Sequence, residues 1–189
     1  MRRYKVIVMM LLGGALLGAV QNAEAATLAD RTVAVYHKEG ICTGTIVGPG
    51  LVLTVAHCDH KQMYVSQRRQ SDDWETEDDN KLVPEEKAEV VHKDEKADLM
   101  LLRVASNAMP SLDNLHMVSA VMDEEVVVVS YPQGRYSVHR GRVTHIHKTG
   151  TIFTDTRLQR GSSGAMMYNA RGEGLGVIFY FSYDGDVVN

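Results

Sequence analysis

CTGTIVGPGLVLTVAHC, residues 42–58, sets the architecture expected for this chain. Two runs rich in β-branched and aliphatic residues, Gly44–Val47 and Leu51–Thr54, lie on either side of the turn residues Gly48-Pro49-Gly50. This pattern predicts two strands joined by a turn. His57 lies three residues after the second strand, directly before Cys58, so a histidine is expected near the end of this strand.

The same pattern recurs along most of the chain. Short runs rich in Val, Ile, Tyr and Thr alternate with turn residues, and no helical segments of ten or more residues separate them. An all-β barrel or sandwich is therefore predicted, and a doubly wound parallel fold is excluded. The remaining predicted strands are Thr32–Tyr36, Met63–Val65, Ala88–His92, Leu99–Val104, Glu125–Ser130, Gly141–Ile146, Thr151–Phe153, Ala165–Tyr168 and Gly174–Phe181.

Two further sequence blocks contain residues that could act together with His57. Asp98 directly precedes the apolar run Leu99–Val104, whereas its neighbours Asp94 and Glu95 do not. Ser163 lies between glycines, in a turn that leads into an apolar strand. Serine becomes a good nucleophile when an imidazole takes its proton and a carboxylate orients that imidazole. The set His57, Asp98 and Ser163 therefore predicts a serine hydrolase.

The first 25 residues are typical of an export signal. A basic start, residues 1–5, precedes an apolar run from Val6 to Val20, and Ala23-Glu24-Ala25 offers a small-x-small cleavage site. The apolar run is shorter than the ~20 residues of a membrane-spanning helix, so cleavage after Ala25 and no lasting membrane anchor are predicted. We expect the mature chain, residues 26–189, to be periplasmic or secreted.

Charge and cysteine usage agree with an exported protein. The leader contains three of the 20 basic and one of the 24 acidic residues, which leaves about −6 on the mature chain. This charge argues against nucleic acid or an anionic membrane as the main partner. The only cysteines, Cys42 and Cys58, are sixteen positions apart. In an oxidising compartment they form a reasonable disulfide pair, which would hold the loop that carries His57.

Two sets of residues could bind a metal, but neither has a diagnostic spacing. Residues 66–89 are strongly acidic and predict a solvated surface loop, with calcium binding by residues 72–89 as the alternative. His145 and His147 project from one face of a predicted strand, without a third ligand at a fixed spacing. We therefore predict no metal and no cofactor.

From about Thr32 to Phe181 the chain resembles the chymotrypsin-like serine peptidases, and in several stretches their bacterial HtrA-type branch. The residues that carry the resemblance are CTGTIV followed by VLTVAHC, the block Ala97–Leu102 around Asp98, the segment Ser130–Gly134, and Gly161–Gly164. The likeness covers the protease part, without a PDZ domain. It implies an all-β fold of two six-stranded antiparallel barrels, about residues 30–115 and 116–185, with the active site between them.

The resemblance also implies roles for individual residues. His57 and Asp98 would come from the first barrel and Ser163 from the second, and the N–H groups of Gly161 and Ser163 would form the oxyanion hole. Ser162 stands where many animal relatives have an aspartate that pairs with a newly cut N-terminus, so that mode of activation is not expected.

The substrate pocket implied by the resemblance consists of Arg157, Leu158 and Phe181. Arg157 occupies the position at which trypsin-like enzymes have an aspartate, which disfavours cleavage after Lys or Arg. A narrow apolar pocket for small aliphatic side chains is predicted, and an inward-turned Arg157 that favours acidic side chains is the alternative.

These observations predict an exported serine endopeptidase that acts on proteins or peptides through an acyl-enzyme. One alternative is a catalytically silent binding module with the same fold, in which Phe181 crowds the pocket. Another is an esterase or a different acyl-transfer enzyme.

Overall fold

The structure, a computed structural model, describes residues 28–67, 86–105 and 115–179. Over these ranges it is almost entirely β, with eleven strands, one for each strand predicted from the sequence. A helical turn at residues 28–31 precedes the first strand. None of the helices in the described ranges has the length and apolarity needed to cross a membrane.

The first six strands close into an antiparallel barrel, in the order β1-β2-β3-β6-β5-β4. The barrel is filled by alternate aliphatic side chains, among them the fully buried Val33, Val52 and Leu102. Val52 and Val35 lie so close to Gly44 that a Cβ there would be 2.5 Å and 2.9 Å from their methyl carbons. The six strands are β1 Thr32–His37, β2 Gly40–Gly48, β3 Leu51–Thr54, β4 Met63–Ser66, β5 Glu86–Asp94 and β6 Leu99–Arg103.

The last five strands form a second antiparallel sheet, in the order β11-β10-β7-β8-β9. Six strands were predicted for this half of the fold, and the described residues form five of them. Residues 180–189 lie outside the described part of the chain. The predicted run Gly174–Phe181 is shorter as a strand than expected, since it ends at Val177. The strands are β7 Glu125–Ser130, β8 Ser137–Ile146, β9 Ile152–Thr154, β10 Met166–Asn169 and β11 Gly174–Val177.

The barrel and the second sheet pack against each other along β1, β2 and β7. Leu28, just ahead of β1, is buried among side chains of the second sheet, including Val127 and Tyr168. The Thr32 hydroxyl, at the start of β1, donates to the Leu28 carbonyl at 2.8 Å. The beginning of the described chain therefore links the core of the second sheet to the first strand of the barrel.

Candidate active site

His57 and Asp98 meet at one end of the first barrel. His57 lies in the 3-10 turn Ala56–Cys58 that follows β3, and Asp98 ends the turn before β6, the strand that pairs with β3. One Asp98 carboxylate oxygen is 2.7 Å from His57 Nδ1, and the other accepts the His57 backbone N–H at 2.9 Å. The Asp98 carbonyl also accepts the Ala56 N–H at 3.2 Å. These contacts fix both the ring and the backbone of His57.

The two neighbouring acids have other contacts. Asp94 accepts the backbone N–H groups of Lys96 and Ala97 at 3.0 Å each, so it closes the turn that leads to Asp98. Glu95 is exposed and pairs with Lys93 at 3.0 Å. Asp98 has φ +53°, a left-handed conformation that aspartate tolerates better than most residues. The local backbone thus aims Asp98, and not its neighbours, at His57.

The disulfide between Cys42 and Cys58 is present and lies beside His57. A ring nitrogen of His57 and the two sulfur atoms all lie within 4.8 Å of one another. Because both sulfurs are used in the bond, they offer no thiolates to a metal. The bridge joins β2 to the His57 turn, and both cysteines are buried.

Ser163 lies in the turn that leads into β10 of the second sheet, and its backbone is hydrogen-bonded to the first barrel. Its carbonyl accepts the Thr43 N–H at 2.8 Å, and Thr43 directly follows Cys42. Gly164, at φ +87°, packs against the same strand, where a Cβ would lie 2.1 Å from the Thr43 carbonyl oxygen. Ser163 and His57 are therefore anchored to consecutive residues of β2.

The Ser163 side chain is half-buried, and its hydroxyl makes no hydrogen bond within the described residues. In unliganded sites the bond between nucleophile and base is often long and shortens only with substrate. The structure thus brings the three predicted residues to the same junction and shows the His57–Asp98 pair formed.

Two amide groups beside Ser163 are unused in the described part of the chain. The carbonyls that precede them are both engaged: Arg160 accepts from the Gln133 N–H at 3.3 Å, and Ser162 accepts from the amide three residues later at 3.0 Å. A trans peptide points its N–H away from its carbonyl. The Gly161 and Ser163 N–H groups are therefore held in set directions, and neither donates to a described residue.

Ser162 is fully buried, and its hydroxyl lies 3.0 Å from that of Ser130 at the end of β7. Its backbone N–H donates to the Gln159 carbonyl at 3.1 Å. Ser162, which stands where the sequence comparison places an aspartate in animal relatives, therefore has the uncharged hydroxyl of Ser130 as its hydrogen-bond partner.

The residues predicted for the substrate pocket have different environments. Arg157 is exposed and forms no ion pair within the described ranges. Leu158 is only 9% exposed and packs in the core of the second sheet. Phe181 lies outside the described residues. His139 of β8, which the sequence did not single out, has a pKa lowered by burial, and the opposing influence of the Arg157 backbone is smaller.

The other predicted candidates are placed as follows. His145 lies against the ring of Phe153, and His147 Nδ1 is 2.8 Å from the Thr149 hydroxyl. Most of the acidic stretch, residues 68–85, lies outside the described residues, as does the predicted export signal at residues 1–25.

Comparisons with known proteins agree with this geometry. The model of the trypsin-like peptidase domain matches residues 42–177, which is more than half of the chain. Among solved structures, the chain is similar to a serine endoprotease from Yersinia pestis, with a TM-score of 0.70 and 20% identity. That match covers 85% of this chain and 58% of the other one, so this chain spans little more than half the length of that protein. No curated protein sequence matches.

The family match confirms the predicted resemblance to the chymotrypsin-like serine peptidases, and the structural match confirms the predicted two-barrel fold. The chain belongs to the trypsin-like peptidase family.

Proposed function

We propose that this protein is an exported serine endopeptidase that hydrolyses protein or peptide substrates through an acyl-enzyme. The observation that carries the proposal is the backbone around Ser163, in which the Gly161 and Ser163 N–H groups donate to no described residue while the carbonyls that precede them accept hydrogen bonds. Preorganised N–H donors of this kind stabilise the oxyanion of acyl transfer, and the loss of one typically costs about 3 kcal/mol. A module used only for binding has no need of them.

In the proposed mechanism, His57 is the base, Asp98 orients it and Ser163 is the nucleophile. The Asp98 carboxylate, 2.7 Å from Nδ1, keeps the ring proton on that nitrogen. Nε2 is then free to take the Ser163 hydroxyl proton as Oγ attacks the substrate carbonyl carbon. The carbonyl electron pair moves to oxygen, and the N–H groups of Gly161 and Ser163 hold the resulting charge.

The second half of the reaction uses the same groups. The tetrahedral intermediate collapses, the C–N bond breaks, and the departing amine takes the proton from His57 Nε2. Water then attacks the acyl-enzyme, with His57 again acting first as base and then as acid. The chain needs no metal or cofactor for these steps.

The disulfide supports export, since such bonds persist mainly in oxidising compartments. N-terminal sequencing of the exported protein checks this part of the proposal. We expect the mature chain to begin at Ala26, and accumulation of the uncleaved chain inside the cell would contradict export.

For specificity, we propose an apolar pocket beside Arg157 that disfavours Lys and Arg. Digestion of a diverse peptide library, with cut sites identified by mass spectrometry, tests this. Cuts after Val or Ala support the apolar pocket, whereas cuts after Glu assign the arginine a direct role in binding acidic side chains.

A fluorophosphonate probe tests the chemistry. The purified protein is expected to form a stable adduct at Ser163, and the Ser163→Ala variant to form none. Hydrolysis of matched peptide amide and ester substrates then distinguishes an endopeptidase from an esterase. A folded protein that is not labelled and cuts neither substrate would contradict the proposal and favour a silent binding module.

A further inference from the structure

Thr43 lies fully buried between the barrel and the second sheet, and its hydroxyl joins two loops of the candidate site. Its Oγ1 donates to the Gly161 carbonyl at 2.7 Å and accepts the Tyr131 N–H at 3.0 Å. A hydroxyl has one proton, so these two contacts leave it a single orientation. The Thr43 backbone is engaged as well: its N–H donates to Ser163 at 2.8 Å, and its carbonyl accepts the Thr54 hydroxyl at 2.8 Å.

We infer that the Thr43 hydroxyl is a positioning residue for the oxyanion hole, an inference that rests on the proposed function. Gly161 has φ +100°, and glycine imposes little barrier to rotation of the peptides on either side of it. The hydrogen bond from Thr43 fixes the peptide that follows Gly161. The peptide that precedes Gly161 carries the Gly161 N–H, and within the described residues its one hydrogen bond is from the Gln133 N–H to the Arg160 carbonyl at 3.3 Å.

The same hydroxyl also secures that second contact. Gln133 belongs to the turn Tyr131–Gly134, in which the Gly134 N–H donates to the Tyr131 carbonyl at 3.1 Å. The turn lies directly behind Gly161, where a Cβ would be 2.9 Å from the Tyr131 carbonyl oxygen. By accepting the Tyr131 N–H, Thr43 holds the start of this turn. One side chain of the first barrel therefore constrains both peptides that orient the Gly161 N–H.

The hydroxyl of Thr43 has a counterpart on the second sheet. Ser130 holds Ser162 from the other side, at 3.0 Å between the hydroxyl oxygens. Both contacts are neutral and buried, so neither depends on a newly exposed N-terminal charge. The Thr43 bond forms when the two halves of the fold pack together, whereas the Ser130 bond lies within the second half.

The test is Thr43→Val, which keeps the shape of the side chain and removes the hydroxyl. We expect kcat on a peptide substrate to fall roughly 10–100-fold with little change in KM, because small displacements of a donor weaken transition-state binding selectively. Labelling by the fluorophosphonate probe should slow by a comparable factor. Thr43→Ser keeps the hydroxyl and should remain within about threefold of wild-type kcat.

Thr45→Val is the matched control. Thr45 is on the same strand, is 1% exposed, and makes no hydrogen bond to residues 160–165 within the described ranges. The Thr45 hydroxyl is buried and has no hydrogen-bond partner of normal geometry among the described residues, so valine should change neither kcat nor the melting temperature appreciably. A purely structural role for Thr43 predicts that Thr43→Val lowers the melting temperature but keeps kcat, which would overturn the inference.

A replacement variant and a labelling control distinguish the possible outcomes. If Thr43→Val does not fold, Thr43→Ala takes its place in the same comparison, and a folded Thr43→Ser with more than about a tenfold loss of kcat overturns the inference. Wild-type protein that is not labelled at Ser163 means that the proposed function has failed. Wild-type protein that is labelled, with Thr43→Val labelled equally fast, means that only the inference has failed.

Discussion

Replacing Asp98 by asparagine changes one atom of the candidate site and should remove almost all activity. In the native pair, Oδ1 accepts the His57 backbone N–H at 2.9 Å and Oδ2 faces Nδ1 at 2.7 Å. An asparagine oxygen can satisfy only one of these two donors. If it keeps the backbone N–H, its NH2 group faces Nδ1, and the imidazole proton must move to Nε2, where it blocks proton transfer from Ser163.

The size of the effect follows from that change of tautomer. Loss of the orienting carboxylate in a triad of this kind lowers kcat about 10⁴-fold, which corresponds to about 5.5 kcal/mol of transition-state stabilisation. The fold should change far less, because the amide preserves the shape and one of the two hydrogen bonds, and a single net hydrogen bond contributes roughly 1 kcal/mol. Asp98→Asn should therefore lose almost all activity while its free energy of unfolding changes little.

The assay compares kcat/KM on a fluorogenic peptide with the free energy of unfolding in urea. Asp94→Asn is the control, because Asp94 also accepts two backbone N–H groups in the same turn but makes no contact with His57 within the described residues. Its kcat/KM should stay within about twofold of wild type. Retention of more than about a tenth of wild-type activity by Asp98→Asn would refute the orienting role.

Three further predictions concern stability. Reduction of the disulfide between Cys42 and Cys58, which are 16 positions apart, should lower the free energy of unfolding by about 3 kcal/mol, measured by urea denaturation with and without reductant. Gly164→Ala should destabilise by at least about 3 kcal/mol, because its Cβ would lie 2.1 Å from a backbone carbonyl oxygen; at Gly150, with a similar φ and no atom within 4 Å, alanine should cost only about 1 kcal/mol in the same assay. Because burial lowers the pKa of His139, the folded protein binds fewer protons than the unfolded chain, so stability should fall as the pH drops below about 6.5, and less steeply in His139→Gln.

The sequence predicted the strands well because their determinants are local. Val and Ile at alternate positions between glycine and proline turns locate a strand without knowledge of its partners, and all eleven predicted runs coincide with observed strands. The place of Asp98 at the head of β6 could be predicted for the same reason. Its φ of +53° and the turn closed by Asp94 became apparent only in three dimensions.

The contacts that hold the candidate oxyanion loop are not local, so they could not be predicted from the sequence. Thr43 is 118 residues from Gly161 and 88 from Tyr131, and Ser130 is 32 from Ser162. A threonine or a serine in a strand is ordinary for a β-protein, so its identity carries no signal until the fold brings its partner near. Leu158 was predicted to line the substrate pocket, but the structure places it in the core of the second sheet. The sequence does not distinguish the two positions, because an apolar side chain suits both.

Because the site is divided between two halves of the fold, its activity depends on how they pack. The first barrel contains its own closed set of strands, a disulfide and the His57–Asp98 pair, all of which can persist without the second sheet. The turn that carries the nucleophile is joined to the first barrel by the backbone and the hydroxyl of Thr43. Partial denaturation should therefore abolish labelling of Ser163 before the first barrel unfolds, because the junction has fewer bonds than the closed barrel.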